Sequence, residues 1–440
     1  MTVLELAERI VAEDPVCNVC LGRVVADRSF GLTNDERGTA LRTALALERD
    51  EPYEAPAIED CWVCEGYSAA FDDLADRVVE TLDGVGFSTY QVGTRVSPLI
   101  EENERLLREL AECPADAGET FGSECNREVG KRVGAATGTE VDFERPDVLA
   151  LCAIEGEAAS ISDHAVDLQI NPAFVYGRYR KLERDIPQTE WPCRECGGSG
   201  KQLGPDGEEP CEHCGGSGYL YDDSVEGHTV PAVVEAMDGE EGVFHGAGRE
   251  DVDARMLGSG RPFAIEVKRP RERIPDLAAL ETRINERAGG AVEVEGLELA
   301  THEMVERVKG LEASKTYRMD VEFAEPIDSE TFERALEELD GATIEQDTPQ
   351  RVSHRRADLT RVREVYSIEG ELHDSTHAEL TVHGAGGLYV KELVSGDEGR
   401  TDPSFAGLVG VDAVVTALDV IDVRGEKERF DDPAYLKDAG

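Results

Sequence analysis

The stretch HGAGREDVDARMLGSGRPFAIEVKRP, residues 245–270, decides how the rest of the chain is read. Its second half alternates. Phe263, Ile265 and Val267 are apolar while Glu266 and Lys268 are charged, the period of two of a half-buried β-strand. Its first half is rich in glycine and sets Asp251 and Asp253 among Arg249, Arg255 and Arg261. A carboxylate held by arginines on a loop that runs into a strand stays ionised, and can then serve as nucleophile or base. The same residues also suit a solvated loop with exposed ion pairs, and this stretch alone does not choose.

Downstream and upstream of it the chain alternates strands and helices without a βαβ rhythm. The pattern predicts a helix over 276–288 stopped by Gly289 and Gly290, and a strand at KTYRMDVEF. A helix capped by Asp328 or Ser329 follows and ends at Leu339. Further strands are expected over 362–368, 378–383, 388–393 and 414–423. Together these give an α+β domain with a mixed, largely antiparallel sheet and flanking helices. HGAGG at 383–387 reads as a loop, and no P-loop or dinucleotide fingerprint is present. Residues 70–190 read as α/β. Helices are expected over 69–82, 97–113 and 124–136, the last closed by Gly138, and strands over 147–154, 165–170 and 173–180. The main boundary is placed at the acidic hinge near Asp222.

Eight of the eleven cysteines form C-x-x-C pairs: Cys17/Cys20, Cys61/Cys64, Cys193/Cys196 and Cys211/Cys214. Two such pairs complete a tetrahedral zinc site. The natural grouping joins the first two pairs and the last two. CRECGGSG and CEHCGGSG repeat C-x-x-C-x-G-x-G, whose glycines let backbone amides face the thiolates. Four thiolates leave no open position for a water, so one or two structural zinc sites are expected, not a zinc hydrolase. Disulfides would need an oxidising compartment. The repeated units also resemble part of the DnaJ cysteine-rich region, but only two are present and no J-domain accompanies them.

The 440 residues suffice for two or three domains. Asp and Glu number 94 against 45 Lys and Arg, a formal charge of -49 spread along the chain. Only nine lysines remain among these basic residues. Dispersed carboxylates, scarce lysine and small apolar residues point to a cytoplasm at molar salt, where the screening length falls to about 3 Å. The start, MTVLELAERIVAEDP, lacks a basic n-region and is read as an amphipathic helix, not a secretory signal. No run of about 18 apolar residues exists, so no membrane helix is expected. On charge alone, nucleic acid would be excluded as a partner.

That exclusion fails against the motifs. CNVCLGR, FGSECNREVGKRV, VDFERPDV, FVYGRYRKLERDIPQTEWPCREC, GREDVDARMLGSGRPFAIEVKRPR, KTYRMDV, TPQRVSHRRADLTRVREV and YVKELVSGDEGRTDPS occur in that order. In them the chain resembles, over nearly its whole length, the tRNA pseudouridine synthases shared by archaea and eukaryotes and often called Pus-ten. The resemblance implies a pseudouridine synthase fold behind an α/β accessory domain that contains a THUMP-type RNA-binding domain. The expected layout is a zinc-binding segment over 1–68, a THUMP-like domain over 69–190, a second zinc module over 191–222 and a catalytic domain over 223–440.

The resemblance also implies roles. In GRED the aspartate follows Arg by two positions, which makes Asp251 the catalytic aspartate. Asp253 is spaced wrongly for the motif. Tyr317 in KTYR matches the active-site tyrosine, and Lys391 in YVKELV the basic residue paired with the aspartate. Val390 and Leu418 match apolar residues at the substrate, and Arg249 a residue that holds the flipped nucleotide. The chemistry needs no organic cofactor. The partner is tRNA, modified in the T-loop at positions 54 and 55 by a monomeric cytoplasmic enzyme. Two basic islands suit phosphate contact and base stacking. One holds Arg178, Arg180, Lys181 and Arg184 with Tyr176 and Tyr179; the other holds Arg351, Arg355, Arg356, Arg361 and Arg363. Two other readings stay open: a different THUMP-bearing tRNA modifier, or a zinc-stabilised RNA-binding protein without catalysis.

Overall fold

The computed structural model describes residues 2–13, 15–154, 166–204, 207–352, 359–424 and 432–437. The chain divides into two compact units: residues 1–172 with 269–273, and 173–268 with 274–440. Among the described residues no helix is long and apolar enough to cross a membrane.

The first unit is α/β. Helices Phe71–Thr81, Pro98–Leu110 and Phe121–Thr137 stand where the sequence predicts them, the last capped by Thr120 and closed by Gly138 in the left-handed region. A four-stranded sheet runs in the order Glu140–Val141, Thr89–Arg95, Val148–Ala153, Val166–Ile170. The first two pairings are parallel and the last antiparallel. One apolar core holds Cys17, Cys20, Cys61 and Cys64 together with Phe71, Leu74, Phe121, Val129 and Val148. The expected division into a zinc segment and a THUMP-like domain at residue 68 therefore does not separate two cores.

The second unit is built on a ten-stranded sheet. Its order is Val292–Ala300, Ala173–Lys181, Arg255–Lys268, Ala413–Arg424, Ser314–Phe323, His377–Gly384, Arg361–Asp374, Thr343–Gln346, Thr401–Asp402, with Glu241–Gly246 paired to Arg255–Lys268. Every pairing is antiparallel except Ala413–Arg424 with Arg255–Lys268, where Asp419 faces Arg255. This is the mixed, largely antiparallel sheet expected. Asp276 and Asp328 each accept from a backbone N–H three residues on and cap helices Leu277–Ala288 and Ser329–Leu339.

Two expectations are corrected here. The strand Ala173–Lys181, assigned by sequence to the THUMP-like domain, lies inside the second unit's sheet, between Val292–Ala300 and Arg255–Lys268. Segment 388–393 is expected as a strand, but Val390–Ser395 is a helix. Val390, Leu393 and Val394 share its buried side, at spacings of three and four, and Gly396 closes it with φ of 79°. Six residues as mixed as Leu388 to Leu393, with Lys391 and Glu392 among them, do not by themselves tell a strand from one helical turn and a half.

Candidate active site

The loop 247–254 joins strand Glu241–Gly246 to strand Arg255–Lys268. Gly248 takes φ of 75°, and a Cβ there would stand 3.3 Å from Arg261 Nη1. Only glycine meets both demands. Two residues later the chain turns inward and outward in succession. Glu250 is buried and Asp251 has 38% of its side chain exposed.

Asp251 has two cationic partners. Arg351 Nη1 donates to its Oδ2 at 3.2 Å, and Lys391 Nζ lies 3.3 Å from the same oxygen. Lys391 also donates to Asp253 at 2.9 Å, and Arg351 Nε to Glu392 Oε1 at 2.6 Å. The result is an alternating row: Asp253, Lys391, Asp251, Arg351, Glu392. The helix at Val390–Ser395 supplies two of its members side by side, which a strand could not do on one face. The Asp253 carboxyl is burdened by burial, yet the hydrogen bond and charge of Lys391 bring it below its ordinary range.

Tyr317 sits in strand Ser314–Phe323, 9% exposed, opposite Val420 and two pairs from the Met319–Leu418 pairing. Burial, opposed by Arg261 and helped by the charge on Asp251, pushes its phenol up to about 12. It is a neutral hydroxyl at any physiological pH. Val390 and Leu418 are buried in the same apolar cluster as Tyr317.

The arginines named from sequence as holders of the aspartate go elsewhere. Arg249 lies over the Trp191 ring at 4.8 Å, Arg255 forks onto Asp419 at 2.6 and 2.9 Å, and Arg261 pairs with Glu250 at 2.9 Å. The first basic island is likewise largely internal. Arg178 donates to the carbonyls of Ser259 and Gly260, Arg180 pairs with Glu293 and Glu295, and Arg184 pairs with Asp419. Lys181 is fully buried, which removes it from any surface that meets phosphate. Of the second island, Arg351 joins the site, while Arg355 and Arg356 lie outside the described residues. Sequence reasoning missed Glu392, although it follows Lys391 directly. It counted Arg351 as a phosphate contact, with nothing local to reveal its partner 100 positions away.

Both cysteine groupings assemble as expected. Within each set of four, the sulfurs lie within 4.8 Å of one another. Cys17–Cys64 and Cys61–Cys20 stand at 4.0 and 3.7 Å, Cys193–Cys211 and Cys196–Cys214 at 4.0 and 3.9 Å. Tetrahedral zinc with bonds of about 2.3 Å sets sulfurs about 3.8 Å apart. The donor sets fit that ion. In the second module Gly200 and Gly218 amides donate to Cys196 and Cys214 at 3.3 and 3.2 Å, and the acidic spacer forms a hairpin of Lys201–Gly204 and Gly207–Pro210. In the first, buried Arg23 donates to Cys20 Sγ at 2.8 Å and pairs with Glu124 at 3.1 Å and Glu104 at 3.4 Å. Arg23 thus links Cys20 to the acidic groups of helices Pro98–Leu110 and Phe121–Thr137.

The family model described as Pus10, C-terminal matches residues 174–424, and that described as Pus10 THUMP domain, archaeal, matches residues 74–153. The chain is 59% identical over 438 residues, 100% of each chain, to tRNA pseudouridine synthase Pus10 of Halorubrum lacusprofundi. It is 45% identical to the protein of that name from Methanothrix thermoacetophila, over 96% of this chain and 95% of the relative. The protein of that name from Pyrococcus furiosus is 38% identical over 97% of this chain and 99% of its own length.

Proposed function

The chain belongs to the Pus10 family of tRNA pseudouridine synthases, and from that premise we propose that it isomerises uridine in the tRNA T-loop, at positions 54 and 55, with Asp251 as the reacting group. The observation that carries the reading is a half-exposed Asp251 held between Arg351 and Lys391 beside the buried, neutral Tyr317.

The two cations hold the carboxylate where it faces solvent, so that a nucleotide withdrawn from its stack can reach it. Attack on the nucleotide lets the bond from N1 to the sugar break. The base turns and rebonds to the sugar through C5, the bond between Asp251 and the nucleotide breaks and returns the carboxylate, the C5 hydrogen leaves to water and N1 regains a proton. Nothing in that balance calls for an organic cofactor. Tyr317 offers a ring for stacking and a hydroxyl that keeps its proton. Val390 and Leu418 give the base an apolar backing. Zinc in the two four-cysteine groups would be structural, holding the accessory fold and the module at residues 193–214. The enzyme acts as a cytoplasmic monomer in this reading.

Release of tritium from 5-labelled uridine in tRNA tests it, since only this isomerisation exchanges that hydrogen. An unmodified T-loop after incubation, or an active Asp251→Ala enzyme, overturns the assignment.

A further inference from the structure

Lys181 ends strand Ala173–Lys181 and has no exposed surface. Its ammonium donates to three neutral carbonyl oxygens: Ile186 at 2.7 Å, Val252 at 3.0 Å and Asp251 at 3.2 Å. Taking an ammonium out of water costs several kcal/mol. Burial lowers its proton affinity, while Glu250 and Asp253 oppose that loss. A methionine would fill such a volume at less cost. What the charge adds is convergence, since two of the three carbonyls belong to the residues at and just after the reacting aspartate.

The preceding residue is clamped from the other direction. The buried Glu250 carboxylate pairs with Arg261 Nε at 2.9 Å and accepts from the Tyr179 hydroxyl at 2.9 Å. Gln188 Nε2 donates to that hydroxyl at 2.8 Å and to the Gly248 carbonyl at 3.0 Å. Tyr179 and Arg261 are themselves wholly buried. Residues 248–252 are therefore pinned by groups standing on two neighbouring strands and the segment after the first. The Asp251 side chain is turned the other way, to Arg351, Lys391 and solvent. An error of about 1 Å in a reacting group can cost about 100-fold in rate.

We propose that Lys181 and Tyr179 are positioning residues of the isomerisation: from inside the protein they fix the backbone of residues 250–252, and so the reach of the Asp251 carboxylate, and neither touches tRNA. This rests on the role proposed above for Asp251.

The test uses the full-length, zinc-loaded protein in molar KCl. Lys181→Met, Tyr179→Phe and Asp251→Asn are compared with the parent by tRNA dissociation constant, single-turnover tritium release at saturating tRNA, and melting temperature. Lys181→Met is expected to bind tRNA within about twofold of the parent while its rate falls about 100-fold. Tyr179→Phe removes one hydroxyl and is expected to lose about tenfold in rate at unchanged affinity. A Lys181→Met protein with weakened tRNA binding and a normal saturated rate overturns the proposal in favour of phosphate contact. Normal values for both quantities overturn it too. Should Lys181→Met fail to fold, Tyr179→Phe decides alone: an unchanged rate refutes, a lower rate at equal affinity supports. An active Asp251→Asn enzyme removes the underlying assignment. An inactive one, beside normal Lys181 and Tyr179 variants, removes only this inference.

Discussion

The Arg351 guanidinium meets the Asp251 carboxylate at 3.2 Å although the two residues stand 100 positions apart in the chain. The same guanidinium holds Glu392, which is 5% exposed. Its two partners predict two separable losses. Arg351→Ala leaves Glu392 buried and unpaired, at a cost of about 2–3 kcal/mol, and loosens Asp251, at a cost in rate. Adding Glu392→Gln should restore most of the stability and none of the rate. Urea unfolding and single-turnover tritium release on the single and double variants check this; rate recovering with stability would contradict it.

Asp251→Asn should lower the isomerisation rate by at least about 10⁴-fold, the loss that follows from the reacting role proposed for this carboxylate. Its tRNA affinity should stay within about threefold, because the carboxylate faces cations of its own chain. Filter binding and tritium release on one preparation measure both.

The Tyr317 phenol, at about 12 in the folded chain, stands above the unfolded value of about 10. Between these values the folded chain keeps a proton that the unfolded chain releases. The contribution is complete below about pH 10 and is lost as the pH rises toward 12. The stability gap between parent and Tyr317→Phe should therefore shrink by something on the order of 2 kcal/mol across that window. Denaturant unfolding at pH 9 and 11.5 reads it. An activity profile with a tyrosine limb below pH 10 would count against the assignment of a neutral hydroxyl.

The two cysteine groups should respond differently to metal loss. Cys17, Cys20, Cys61 and Cys64 are all buried in the first unit's core, whereas Cys196 and Cys214 are only partly covered. A chelator should strip the second module first. Cys214→Ser should lose one equivalent of zinc and leave the melting of the first unit unchanged, and Cys20→Ser should lose one equivalent and lower it. Elemental analysis with calorimetry separates the cases; a Cys20→Ser protein with the parent's melting profile would show the first site to be dispensable.

A net charge of -49 makes stability depend on salt. At 0.1 M the screening length is about 10 Å and carboxylates repel across the surface; at 1 M it is about 3 Å. The melting temperature should fall on dilution from 3 M to 0.2 M KCl. The Arg23–Glu124 pair is buried, so the destabilisation by Arg23→Ala should be about 3–5 kcal/mol at molar salt, where surface pairs are screened. Affinity for tRNA should change little between 1 and 3 M, because counterion release is already spent there.

Much of this was legible along the chain. Strands Ser314–Phe323, His377–Gly384 and Ala413–Arg424 alternate plainly enough to be read, and Asp276, Asp328 and Gly138 mark helix ends by local chemistry. The paired cysteines carry their spacing with them. What could not be read depends on distant partners. Strand Ala173–Lys181 looks continuous with the α/β segment before it, and its partners in the large sheet, Arg255–Lys268 and Val292–Ala300, come far later in the chain. Lys181 reads as surface because charge usually is. Its burial becomes sensible only once the 251–252 carbonyls are seen around it. Arg351 stands in a run of basic residues that looks uniform, and the fold singles it out.

The first unit includes residues 269–273, whose neighbours in sequence belong to the second. Arg273 is buried, pairs with Asp147 at 3.1 Å and donates to the carbonyls of Asn171 and Pro172, and the Arg271 carbonyl accepts from Gly86. During synthesis the ribosome delivers Asp147 long before its counter-charge. A nascent chain released at residue 172 carries a buried carboxylate with that partner missing. The accessory unit therefore gains this ion pair only after translation has passed well into the catalytic half, and until then Asp147 has Ser88 and Thr89 as its partners.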